Sequence, residues 1–111
     1  LNKKDTIAVY GSNQHSGEAM VSANETLQKF GTGEDQVIGV AFDSGKVIMS
    51  AVENGTFLGA ITQAPVAMGE KVVELLYAAA KGEAVEDVDT GCQWYTSENM
   101  KDEEIAQNLY E

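Results

Sequence analysis

Three polar residues, Asn13, Asp43 and Gln63, each stand just past a short apolar run. Together they offer two amides, which donate and accept, and one carboxylate, which accepts. That set suits a neutral, hydroxyl-rich ligand such as a sugar, whose vicinal hydroxyls can donate to the carboxylate and accept from the amides. It suits acid–base chemistry poorly, because no second group is paired with Asp43 as general acid or base. Each residue also has a purely local role open to it. Asn13 could occupy a left-handed turn, Asp43 could cap a helix beginning at Ser44, and Gln63 could be an ordinary polar strand end. Their recurrence at corresponding positions favours a shared ligand site.

The other chemistry-bearing residues point elsewhere or nowhere. His15 is the only histidine and has no second metal-type ligand beside it, so no metal site is expected. Ser12 or Ser16 with His15 and Asp43 would make a triad on paper, but no Gly-x-Ser-x-Gly elbow presents the serine. An enzyme is not expected, and no cofactor is implied. Cys92 is the only cysteine, which excludes an internal disulfide. Its alternating neighbours suggest a strand, and a packed, inert thiol is the expectation. Trp94 and Tyr95 alternate in the same run, so at least one of them belongs to the core.

The elements that must position the trio alternate. Residues 6–10, 36–42 and 57–62 read as buried strands and 88–95 as a fourth. Helices are expected over 16–30, 44–54 and 66–81, with a short acidic one near 102–109. In the first, Ala19, Met20, Ala23, Leu27 and Phe30 recur at helical spacing, and Gly31 stops it. Pro65 ends the third strand, because it cannot donate to a ladder. Strict β-α alternation implies an α/β fold, a parallel sheet with helices on both faces. In such a sheet Asn13, Asp43 and Gln63 share one carboxyl edge, where open α/β sheets bind ligands.

Charge narrows the partners. The 111 residues carry a net charge of −11, and all seven basic residues are Lys. Acidity of this size argues against nucleic acid or an anionic membrane surface. The lack of Arg removes the usual fork for phosphates and carboxylates. Residues 82–111 hold nine acids and one Lys, which reads as a solvated surface. No apolar run is long enough to span a membrane, and no signal peptide is visible. The chain starts at Leu1 rather than Met, and its first strand follows within a few residues. It therefore reads as a piece of a longer protein.

Several motifs in order carry a family resemblance. They are Ala8-Val9-Tyr10-Gly11-Ser12-Asn13, Val37-Ile38-Gly39-Val40-Ala41-Phe42-Asp43-Ser44, Glu53-Asn54-Gly55-Thr56 and Gln63-Ala64-Pro65-Val66-Ala67-Met68-Gly69. Lys81-Gly82-Glu83-Ala84-Val85, Asp89-Thr90-Gly91, Tyr95-Thr96-Ser97-Glu98-Asn99 and the ending Ile105-Ala106-Gln107-Asn108-Leu109-Tyr110-Glu111 follow. The chain resembles the C-terminal portion of periplasmic sugar-binding proteins of the ribose/galactose type (type I), the soluble receptors of ABC transporters. The Gln-x-Pro-x-x-Met-Gly stretch is the most specific match, and the ending is similar to Gram-positive members. There are departures: Gly17 precedes Ala19 where the family usually has Ala then Gly, Gln14-His15 replaces a commoner acidic pair, and Ala41-Phe42-Asp43 replaces Gly-Phe-Asp.

The resemblance implies a Rossmann-like half of a two-lobe periplasmic-binding-protein fold. Residues 1–63 would belong to the C-terminal lobe, 64–87 to a helix crossing between lobes, and 88–111 to the final strand and acidic tail. It implies that Asn13, Asp43 and Gln63 bind sugar hydroxyls and that an ABC transporter permease is the downstream partner. It also implies a location in the periplasm or on the extracellular face, with a lipid-anchored Gram-positive parent. The same core occurs in lactose-repressor-type regulators, whose ends usually carry an Arg-containing segment that Trp94-Tyr95-Thr96-Ser97-Glu98-Asn99 replaces here. A helix parted from its natural lobe would leave Met68, Val72, Val73, Leu75 and Leu76 uncovered, and self-association through residues 66–81 is the expected consequence.

Overall fold

The computed structural model describes residues 3–110; Leu1, Asn2 and Glu111, the last of which closes the tail motif, lie outside the described residues. Strands β1 (Ala8–Tyr10), β2 (Ile38–Phe42) and β3 (Gly59–Gln63) pair side by side and parallel, as the alternation requires. Between them run α1 (Gln14–Leu27) and α2 (Lys46–Glu53). After β3 come α3 (Pro65–Ala80), β4 (Cys92–Tyr95) and the single turn α4 (Glu103–Ala106). The result is a four-stranded, mostly parallel α/β sheet in the order β1-β2-β3-β4.

The core lies between the sheet and α1 and α2. Ala41, Ala60 and Tyr95 from the strands meet Ile48, Ala51 and Val52 from α2, Met20 from α1 and Phe57 before β3. Close approach is bought with small residues. A Cβ at Gly17 would sit 2.9 Å from Ile48 and 3.2 Å from Ala41, so only glycine lets α1 lie this near β2. At Gly39 the missing Cβ makes room for the Phe57 ring, 2.5 Å from where it would stand. The tail closes the same side, with Met100 buried in the core and Ile105 and Leu109 packed against it.

Two details depart from the expected architecture. The fourth strand is antiparallel to β3, with Ala60 opposite Tyr95 and Gln63 opposite Cys92. A parallel fourth strand would need its preceding helix to return across the sheet. Here α3 has no buried residue, and the chain re-enters beside the end of β3 that it left. Nor do helices cover both faces. Right-handed crossovers that step one way along the sheet put α1 and α2 on the same side. The opposite face, which includes Tyr10, Ile38 and Trp94, stays well exposed.

Helix α3 projects from this body. Pro65 occupies its first turn, where a missing N–H costs nothing, and Gly82 follows its end at φ 79°. Val73, Leu76 and Tyr77 are 65–67% exposed. The radius of gyration is 17.3 Å, against about 13 Å for a compact chain of this length. Soluble monomers seldom leave an apolar face of this kind open. The 111-residue chain on its own is expected to scatter light as a dimer or larger species, and Leu76→Glu to return it toward the monomer. A monodisperse monomer across micromolar concentrations would contradict this.

Candidate functional site

The carboxyl ends of β1, β2 and β3 lie along one edge, and the structure places the predicted residues there. Gln63 is the last residue of β3. Asp43 follows β2 directly and adopts φ 72°, the left-handed region that non-glycine residues seldom occupy. Its N–H donates to the carbonyl of Ile61 at 2.6 Å, so the parallel ladder runs one residue past the strand. Asp43 does not cap α2. That helix starts at Lys46 behind Gly45, without a side-chain cap.

The conformation of Asp43 aims its carboxylate along the edge. Oδ1 accepts from Nε2 of Gln63 at 2.8 Å, and Oδ2 accepts from the backbone N–H of Gln14 at 3.2 Å. Asp43 and Gln63, twenty residues apart in sequence, are therefore in direct contact. Asn13 lies one residue before Gln14, but its side chain serves the helix. Its Oδ1 accepts from the N–H of Ser16 at 2.8 Å, while the Ser16 hydroxyl accepts from the N–H of Asn13 at 3.2 Å. This is a reciprocal capping box at the start of α1. The backbone of Asn13 is extended rather than left-handed, with φ −159°. Asn13 is exposed, and its Nδ2 hydrogen-bonds to no described residue.

The sequence reading missed most of what holds the pair. The Tyr95 hydroxyl donates to the carbonyl of Asp43 at 3.0 Å. Burial is the main cause of its raised pKa, with Tyr110 and Asp43 adding to it, so the phenol stays protonated and remains a donor. The tail supplies the rest. The N–H of Tyr110 donates to the Ser44 hydroxyl at 3.1 Å, and the Thr62 hydroxyl donates to the Asn108 carbonyl at 2.9 Å. Burial, then Asp43, raises the Tyr110 hydroxyl as well. Gln14 could have been flagged as the neighbour of Asn13. Nothing local marks Tyr110, which is 66 residues from Ser44 in sequence.

What this arrangement offers is an acceptor-rich, open edge. The Asp43 carboxylate keeps spare lone pairs, the Gln63 carbonyl oxygen and the Asn13 Nδ2 have no partner among the described residues, and none of the three residues is basic. A cavity of about 400 Å³ opens beside Gln63, between the start of α3 and the tail, lined by Ala64, Val66, Ala67, Glu70, Gln107 and Asn108. A second, of about 290 Å³, lies at the opposite edge around Phe57, Thr96, Ser97 and Glu98. Neither encloses the trio, which sits on a surface rather than in a pocket. No hydrogen bond links Ser12, His15 and Asp43, and no cluster of three or more His, Cys, Asp or Glu able to hold a metal occurs among the described residues. Cys92 is exposed rather than packed, because β4 ends the sheet and its alternation spends the inward position on Tyr95. No described helix is long and apolar enough to cross a membrane.

No family model and no curated protein matches the chain significantly. Solved structures do. An ABC transporter, LacI family transcriptional regulator from Brachyspira murdochii is 32% identical with a TM-score of 0.79, covering 97% of this chain and 36% of its own. An ABC transporter solute-binding protein from Agrobacterium vitis with bound D-fucose is 28% identical with a TM-score of 0.82, covering 93% and 34%. Another from the same organism, bound with α-D-tagatopyranose, is 26% identical with a TM-score of 0.85, covering 96% and 35%. The chain spans about a third of the length of each. In backbone, then, this chain has a portion of the periplasmic-binding-protein fold and is similar in sequence to these ABC-transporter proteins.

Proposed function

We propose that this chain supplies one side of a neutral-sugar site in a solute-binding protein that captures its ligand outside the membrane for import by an ABC transporter permease. The observation that carries the reading is the hydrogen-bonded, half-buried Asp43–Gln63 pair at the carboxyl edge of a parallel sheet with Asn13 at its side. The pair accepts hydroxyl protons, Asn13 returns an amide donor, and none of the three carries a positive charge to neutralise an anion. Two structural neighbours hold neutral monosaccharides, D-fucose and tagatopyranose, which agrees with that chemistry. By the same family relation, the parent protein acts in the periplasm or, lipid-anchored, on the outer face of a Gram-positive cell.

A second reading is favoured by the Brachyspira neighbour, whose description joins the transporter and regulator classes. In it the same edge senses a sugar effector within a lactose-repressor-type regulator. The net charge of −11 keeps this segment itself off DNA in either case.

Calorimetry on the intact protein tests the proposal. Saturable binding is expected for at least one of D-fucose, D-tagatose, D-arabinose and myo-inositol, and none for the corresponding sugar phosphates or sugar acids. Preferential binding of an anionic sugar would contradict it.

A further inference from the structure

Asp43 can present its carboxylate only while its backbone stays in the left-handed region, and two groups pin it there. On one side its N–H is held by β3, through the carbonyl of Ile61 at 2.6 Å. On the other its carbonyl is held by a residue from the far side of the sheet. Tyr95, in β4, is fully buried and lies opposite Ala60 in register. Its side chain reaches past β3 to the turn between β2 and α2, where the hydroxyl donates to the Asp43 carbonyl at 3.0 Å. Described donors offer that oxygen no other hydrogen bond, and the adjacent Ser44 and Gly45 are buried, so water cannot readily substitute. Without this bond the part-buried carbonyl loses its one described partner, and only the Asp43 N–H bond to Ile61 and the bonds of its carboxylate oppose return to an ordinary negative φ. That rotation would carry the carboxylate away from Gln63 and from the N–H of Gln14.

We propose that Tyr95 is a positioning residue for the Asp43–Gln63 site, acting through its hydroxyl on the backbone of Asp43 and never touching the ligand. The inference rests on the sugar-site reading for its effect on affinity, while its structural half stands apart from that reading. It gives the inward turn of Tyr95, rather than Trp94, a role at the edge. It also makes β4 part of the site through Tyr95, although the buried Tyr95 offers the ligand no group of its own.

Tyr95→Phe keeps the ring and removes the bond. In the 111-residue chain the Gln63 side-chain amide resonances should move toward the position of a free amide, and 3-fluorotyrosine at position 95, a stronger donor, should leave them hydrogen-bonded. Unchanged Gln63 resonances in a folded Tyr95→Phe chain would overturn the proposal. If that variant does not fold, the fluorotyrosine chain decides, since a shift toward the free amide there would also overturn it. In the intact protein Tyr95→Phe should weaken sugar binding about fivefold, the size of one neutral hydrogen bond. It should cost nothing more once Asp43→Ala is present, whereas Phe57→Leu, remote from the edge, should lower stability and spare affinity. Equal losses in both backgrounds would show that Tyr95 does not act through Asp43. A large loss for Asp43→Ala with none for Tyr95→Phe would refute the positioning role and leave the site intact. No loss for Asp43→Ala would instead refute the sugar site, and the Gln63 resonances would still decide the role of Tyr95.

Discussion

Replacing Phe57 with Ala is expected to destabilise the chain by about 3–5 kcal/mol, the usual range for deleting a buried aromatic ring. Phe57 is 1% exposed and sits where three elements meet. Its ring packs edge-on against Phe30, with centroids 5.6 Å apart and planes at 90°. It fills the space that Gly39 leaves over β2, and its N–H donates to the Ala51 carbonyl at 2.9 Å, tying α2 to the entry of β3. Gly39 has no side chain to refill that volume, and the backbone of Phe30 is held by Asn24 and Val37. Small domains hold roughly 5–15 kcal/mol in total, so the variant should lose much of its cooperative unfolding transition. Urea denaturation followed by circular dichroism reads this directly. A midpoint shift worth less than about 1 kcal/mol would show that the cluster is not packed as described.

The parallel core was legible in the sequence because its signals are local. Short apolar runs bounded by Gly, Asn and Pro marked β1 to β3, and their ends marked the edge that carries Asn13, Asp43 and Gln63. The inward face of α1 was not legible. The apolar spacing pointed to Met20, which is buried, but also to Ala19, Ala23 and Leu27, which are exposed, and it missed Gly17, with Val21 partly buried beside it. Glycine gives no hydrophobic signal although it permits the closest packing. Asn24 interrupts the stripe because its Oδ1 is spent on the N–H groups of Lys29 and Phe30 at 2.8 and 2.9 Å, where α1 ends.

The direction of β4 and the exposure of Cys92 depend on where α3 goes, and that is a long-range fact. The single-sided covering of the sheet could have been derived, since successive right-handed crossovers stepping one way must share a face. At the site, the placing of Asn13, Asp43 and Gln63 on one edge followed from strand ends alone. The supports from Tyr95 and Tyr110 did not, because they arrive from strand and tail residues 52 and 66 positions away from their partners.

The second large effect concerns the site itself. Asp43 is the hub of the edge: its carboxylate joins Gln63 to the start of α1, and its free lone pairs are the strongest acceptors available to a sugar hydroxyl. A hydrogen bond to a charged group contributes about 1.5–3 kcal/mol, so Asp43→Ala should weaken sugar binding roughly 10- to 150-fold. Little stability should be lost with it, because alanine removes only a carboxylate at a half-buried surface and the Gln14 N–H and Gln63 amide regain water. The measurement that decides the account is titration calorimetry of the intact protein, wild type against Asp43→Ala and against His15→Ala as a neighbour that takes no part. The account predicts that Asp43→Ala raises the sugar Kd at least tenfold while His15→Ala leaves it where it was. Equal affinities for wild type and a folded Asp43→Ala protein would contradict it.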